Sequence, residues 1–259
     1  MIRDVSGLGD GEVKDKPLAR WPASSHRQPM KTLGLIGGTT WHSTVEYYRA
    51  INELVNARLG GLSSARLILY SVNFDEMKPP SDPARWTEVA ATLSDIARRL
   101  ERAGAECIVL CANTPHLVAD TVAKNVTIPL LHIADATAKS LTASGLATVG
   151  LLGTKFTMEH PFFKDRLARA GIATVVPDDA DRAYVHDSIF EELGKGVFRK
   201  ETRDAYLAIV DRLVARGAQG VILGCTEIPM LIKADDCPIP SFDTTTIHAR
   251  AAVDFALGA

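Results

Sequence analysis

Two segments of the chain combine residues that can move a proton with residues that can grip a carboxylate. They are Gly224-Cys225-Thr226-Glu227-Ile228-Pro229 and Cys111-Ala112-Asn113-Thr114-Pro115-His116. Each follows an apolar run and precedes a stretch that reads as a helix. A cysteine at a strand-to-helix junction sits near the positive end of the helix dipole, which lowers its pKa and favours thiolate. A thiolate can act as acid/base group or nucleophile. Adjacent backbone N–H groups and the hydroxyls of Thr226 and Thr114 suit a bound carboxylate. Cys225 also has the plainer reading of a small buried hydrophobe. The glycine before it, Thr-Glu after it and its strand-end position favour chemistry.

The elements that must position these loops follow from periodicity. Leu33–Gly38 (LGLIGG) is a short apolar run closed by glycines, a buried strand and a tight turn. A helix follows over 44–59, with Val45, Tyr48, Ile51 and Leu54 near helical spacing. Residues 65–74 read as a second strand, 83–103 as a helix stopped by Gly104, and Cys107–Cys111 as a third strand. A helix is expected from Pro115, then a strand over 128–133. Strands alternating with helices predict parallel sheets with helices on both faces.

The second half repeats the first. Leu33-Gly-Leu-Ile-Gly37 matches Val149-Gly-Leu-Leu-Gly153, Gly104–Leu110 matches Gly217–Leu223, and Ile128-Pro129 matches Ile239-Pro240, in the same order and at a nearly constant offset. This predicts an α/β fold of two pseudo-symmetric lobes, each a small parallel sheet with helices on both faces. A flexible extension is expected over 1–30, a first lobe over 31–143 completed by 241–259, and a second lobe over 144–240. Ligands of such sheets sit at the carboxyl ends of the strands, so the active site belongs between the lobes. The repeat aligns Ala112 with Cys225, Cys111 with Gly224 and His132 with Asp243.

Composition removes several classes. With 29 basic and 31 acidic residues the net charge is −2, which offers no field to nucleic acid or to an anionic membrane. There is no apolar run of about 18 residues for a transmembrane helix. The opening residues lack the apolar core of a secretory signal, so a cytoplasmic protein is expected. Cys107, Cys111, Cys225 and Cys237 form no CxxC pair, which argues against zinc and against disulfides in a reducing compartment. Gly34-Leu-Ile-Gly37-Gly38 is neither GxGxxG nor a P-loop, which argues against nucleotide binding.

The segments GLIGGTTWHSTVEYYRAINE, CANTPH, PLLHIADAT and GCTEIP resemble the aspartate/glutamate racemase family, from about Met30 to the C-terminus, and most closely its broad-specificity branch. The resemblance implies two pseudo-symmetric lobes with the active site between them and a homodimer. It implies a small amino-acid or carboxylate substrate, and no pyridoxal phosphate or metal. It implies Cys225 as a catalytic acid/base group. It places Thr39, Thr40, Trp41, Asn113, Thr114, Tyr184, Thr226 and Glu227 in the substrate site. Racemisation removes a proton from one face of Cα and returns one to the other, so two acid/base groups must flank the carbon. With no cofactor to delocalise the carbanion, hydrogen bonds to the substrate carboxylate carry the stabilisation.

The chain departs from the family at two places. The residue before Asn-Thr, a catalytic cysteine in most members and threonine in some, is Ala112. Cys111 lies one position earlier, and a one-residue shift in an extended strand turns a side chain to the opposite face, so it reads as a packed core thiol. The second base is left open between Cys111, Thr114, His116 and a water. The open alternatives are a racemase, a single-thiol decarboxylase-like or one-base enzyme, and a non-catalytic carboxylate-binding paralogue. The second departure is Tyr184, aligned with a lysine of close relatives, which predicts a neutral rather than an acidic substrate. Arg182 reads as a surface arginine.

Overall fold

The computed structural model describes residues 30–77, 79–80 and 82–258; the extension expected over 1–30 lies, apart from Met30, outside them. The first half runs β1 (Leu33–Gly37), α1 (Trp41–Leu59), β2 (Leu67–Ser71), α2 (Trp86–Arg102), β3 (Cys107–Leu110), α3 (Ala119–Ala123), β4 (Leu130–Leu131) and α4 (Ile133–Ala143). The second runs β5 (Thr148–Gly153), α5 (Lys155–Glu159), α6 (Pro161–Arg169), β6 (Ala173–Val175), α7 (Asp179–Glu191), α8 (Lys200–Ala215), β7 (Gly220–Gly224), α9 (Ile228–Leu231), β8 (Ser241–Asp243) and α10 (Thr244–Leu257).

Both sheets are four-stranded and parallel, with the same order: β2-β1-β3-β4 and β6-β5-β7-β8. The expected two-lobe α/β architecture is the observed one. The third strands end in register with the first: Ile36 pairs with Leu110, and Gly153 with Gly224. The loops after β1 and β3, and after β5 and β7, therefore emerge side by side.

The central strands β1, β3, β5 and β7 are buried on both sides because helices cover both faces. In β3, Ile108 and Leu110 pack with Leu93, Ile96 and Ala97 of α2, while Cys107 and Val109, with Cys111 just after the strand, pack with Tyr47 of α1 and with α10. The last helix of each half crosses over. Ile133, Ala138 and Leu141 of α4 join the core of the second sheet, whereas Ala249, Ala252, Val253 and Ala256 of α10 join the first.

The strand expected over 128–133 is shorter than its apolar run. Pro129 has no N–H for a ladder and offers its carbonyl to Ile108 N at 2.8 Å. His132 leaves the ladder to cap α4, its Nδ1 accepting from Ala134 N at 3.1 Å. Its repeat partner Asp243 caps α10 in the same way, accepting from Thr245 N at 2.9 Å. The helix expected from Pro115 opens with a 3-10 segment over Thr114–Val118 before α3.

Candidate active site

A cavity of about 410 Å³ opens at the carboxyl ends of the strands of both sheets, within the range of ~300–1,000 Å³ common for small-molecule sites. Thr39 and Thr40 come from the turn after β1, Ala112, Asn113 and Thr114 from the loop after β3, Thr154 from the turn after β5, and Cys225, Thr226 and Glu227 from the loop after β7. Gly38 makes the first turn possible. Its φ is 93°, and a Cβ there would stand 2.1 Å from Val72 O.

Cys225 and Glu227 form the centre of the polar wall. The Cys225 thiol donates to Glu227 Oε2 at 2.9 Å. Thr226 Oγ1 donates to the same oxygen at 2.9 Å, and Thr40 Oγ1 donates to Glu227 Oε1 at 2.7 Å across the two lobes. Glu227 is only 3% exposed, so three donors hold a buried carboxylate. The thiol is pushed well above the ordinary cysteine range, first by burial, then by the Glu227 charge and the hydrogen bond to it. The expected lowering by a helix dipole is corrected here. Helix α9 is one turn, residues 228–231, and sums too few peptide dipoles to offset a carboxylate in contact.

Ala112 lines the cavity, 8% exposed, where the repeat demands the partner of Cys225. Cys111 does not reach the cavity. It is buried on the α1–α10 side, its sulfur directed to Val109 O at 3.9 Å, with a thiol pushed far up by burial. Asn113 donates from Nδ2 to Thr244 Oγ1 at 3.0 Å, and Thr244 Oγ1 donates onward to Leu223 O at 3.0 Å. The Thr244 hydrogen is thereby spent, which fixes the amide with Nδ2 toward Thr244. Asn113 Oδ1 and Thr39 Oγ1 are buried, and neither has a hydrogen-bond partner among the described residues. Thr114 Oγ1 lies 3.1 Å from Thr154 Oγ1, linking the two lobes.

Two expected site residues lie elsewhere. Trp41 is 63% exposed and stacks on His42 with centroids 3.7 Å apart. The Thr40 cap starts α1 at once and carries Trp41 to the outer surface. Tyr184 is 41% exposed and meets Tyr206 edge-on, because the last turn of α7, not its middle, reaches the cavity. Arg182, expected at the surface, has only 20% of its side chain exposed; it pairs with Glu159 and Asp179, donates to Pro177 O and does not line the cavity. Among the described residues the cation that lines the cavity is Lys195, whose Nζ is 2.6 Å from Glu191 Oε2. The broken Gly194-Lys195-Gly196 after α7 is the signal that marks it. His116 turns away from the polar wall, its Nδ1 2.8 Å from Ala112 O and its ring against His132 and His248.

The family model for Asp/Glu/Hydantoin racemase matches residues 36–252. This chain belongs to that family. Among solved structures it is similar to a protein from Yersinia pestis assigned to the Asp/Glu racemases, at 51% identity and TM-score 0.83, covering 88% of this chain and 100% of that one. It is also similar to an aspartate racemase homologue from Pyrococcus horikoshii, at 39% identity and TM-score 0.77, covering 88% and 99%. A broad specificity amino-acid racemase from Bacillus subtilis is 22% identical over 66% of this chain and 74% of that one. Among the described residues no helix is long and apolar enough to cross a membrane, and no group of three or more His, Cys, Asp or Glu is arranged to hold a metal ion.

Proposed function

We propose that this protein is an amino-acid isomerase that moves the α-proton by cysteine acid/base chemistry without a cofactor, Cys225 carrying the proton. The observation that carries this reading is the 2.9 Å hydrogen bond from Cys225 to the buried Glu227 carboxylate on the cavity wall. At rest the thiol holds its proton. For abstraction, Glu227 takes the thiol proton while the sulfur takes the proton from Cα. Reversal of both transfers restores the starting enantiomer. Inversion is completed when a water on the Ala112 side protonates the opposite face and the Glu227 proton leaves to solvent. Thr40 and Thr226 keep the carboxylate in place through either step. Asn113 Oδ1 accepts from the substrate ammonium. Thr39 Oγ1 and the amides of the strand-end loops receive the carboxylate, on which the charge of the carbanion develops.

Ala112 favours a second reading. A methyl group cannot deliver a proton, so one face of Cα has a thiol and the other has none. An enzyme with one base exchanges the α-proton with retention, and a single-thiol decarboxylase protonates a carbanion from one side only. Chiral separation after incubation with each enantiomer tests the two. Inversion that disappears in Cys225→Ala supports the isomerase. Racemisation that persists in a folded Cys225→Ala enzyme contradicts it.

A further inference from the structure

Apart from Glu191 at the end of α7 and Lys195 just after it, the polar groups of the cavity come from the strand-end loops. The rest of its wall is apolar: Phe74 and Met77 from the loop after β2, Trp86, Val89 and Leu93 from one face of α2, and Phe190 from the end of α7. Trp86, Val89 and Leu93 are spaced three and four apart, so they present one continuous stripe. Trp86 is wedged edge-on against Phe156, with centroids 5.5 Å apart, which fixes its ring. A wall of this kind gains free energy by covering an apolar group and gives a charged one no partner.

The charges say the same. Among the described residues lining the cavity the ionic groups are Glu191, Glu227 and Lys195. Glu227 is committed to Thr40, Thr226 and Cys225. Lys195 is committed to Glu191, one turn away, with both side chains more than half exposed (59% and 72%), so this pair sits at the solvent-facing rim. Among these described groups, a second carboxylate of a substrate meets two carboxylates and one ammonium already paired at the rim. A zwitterion whose side chain carries no charge meets no such conflict.

We infer that the substrate is an amino acid with an uncharged apolar side chain, of the size of leucine, methionine or phenylalanine, rather than aspartate or glutamate. This rests on the α-proton reading for the polar end and adds the specificity of the apolar end. The side chain lies against the stripe of α2 and Phe190, and the ammonium and carboxylate stay with Asn113 and Thr39.

Calorimetric binding of both enantiomers of leucine, methionine, phenylalanine, aspartate and glutamate tests it, on the wild type and on Val89→Lys, which places a cation in the stripe. In the wild type the apolar amino acids are expected to bind about tenfold or more tightly than the acidic ones, and Val89→Lys, still folded, reverses that order. Tighter binding of aspartate or glutamate by the wild type overturns the inference, as does binding of neither class. Proton exchange at Cα, followed on the same solutions, separates this from the parent reading. Apolar ligands that bind but never exchange leave the specificity standing and remove the chemistry. Acidic ligands that bind and exchange do the reverse.

Discussion

Cys225 meets its carboxylate partner two residues along its own loop, and Thr40 of the other lobe locks that carboxylate from across the cavity. The pair can therefore hold and pass one proton without a further residue, and the asymmetry of the site is concentrated at Ala112. On this account Ala112→Cys restores a second acid/base group on the opposite face. It is expected to raise the rate of inversion by at least ~10²-fold, the low end of a positioned acid/base group's contribution. Chiral chromatography against wild type measures it, and an unchanged rate in a folded variant that still binds substrate would show that the site no longer serves racemisation. Much of this site was legible in the residues. The period of two that turns Cys111 away from the cavity is a property of any strand, and the repeat paired Ala112 with Cys225. Lys195 is marked in the sequence only by its flanking Gly194 and Gly196, because alignment by pattern slips easily through a helix and sets Tyr184 at the lysine position. The apolar wall was not legible. Trp86, Val89 and Leu93 carry the same periodic signal whether they face a core or a cavity.

At the scale of elements, the thiol's position depends on how closely β5 and β7 approach at their carboxyl ends. A Cβ on Gly224 would lie 2.6 Å from Leu152 O, a backbone atom that cannot swing aside. Gly224→Ala must then part the strands directly before Cys225. The expected cost is about 1–3 kcal/mol of stability, as for overpacked sites, together with loss of activity. Urea unfolding and turnover of the same preparation read both; a wild-type midpoint would contradict this packing account. Strand order and parallel pairing could be anticipated from the alternation of apolar runs with helical segments. The boundaries could not, since they turn on single caps. His132 looks like part of an apolar strand until its ring is seen to accept from Ala134 N and end that strand.

Across the whole molecule, the exchange of α4 and α10 ties each lobe's core to the other half of the chain. It also gathers a buried cluster at the junction. His248 bonds to Tyr47 OH and Leu131 O, both at 2.8 Å, His116 packs between His248 and His132, and Arg166, itself paired with Asp120 and Asp135, stands near His132. Burial holds all three imidazoles neutral, His132 at about 3, His248 at about 4 and His116 well below the ordinary value of 6.5. A depressed pKa means the unfolded chain takes up protons that the folded one refuses. The stabilisation is complete above about pH 6.5 and is lost as pH falls toward 4 and 3. Each histidine contributes a slope of up to about 1.4 kcal/mol per pH unit in that window. Denaturant midpoints should fall steeply from pH 7 to pH 5, and a flat profile there would contradict the buried neutral cluster.

The most direct test of the central claim is proton NMR of the Cα–H signal in D2O, with leucine, methionine or phenylalanine and with wild-type or Cys225→Ala protein. The account predicts that the signal disappears with the wild type and persists with Cys225→Ala in a folded protein that still binds the ligand. Equal loss of the signal with both proteins would show that another group moves the α-proton, and the assignment to Cys225 would fall.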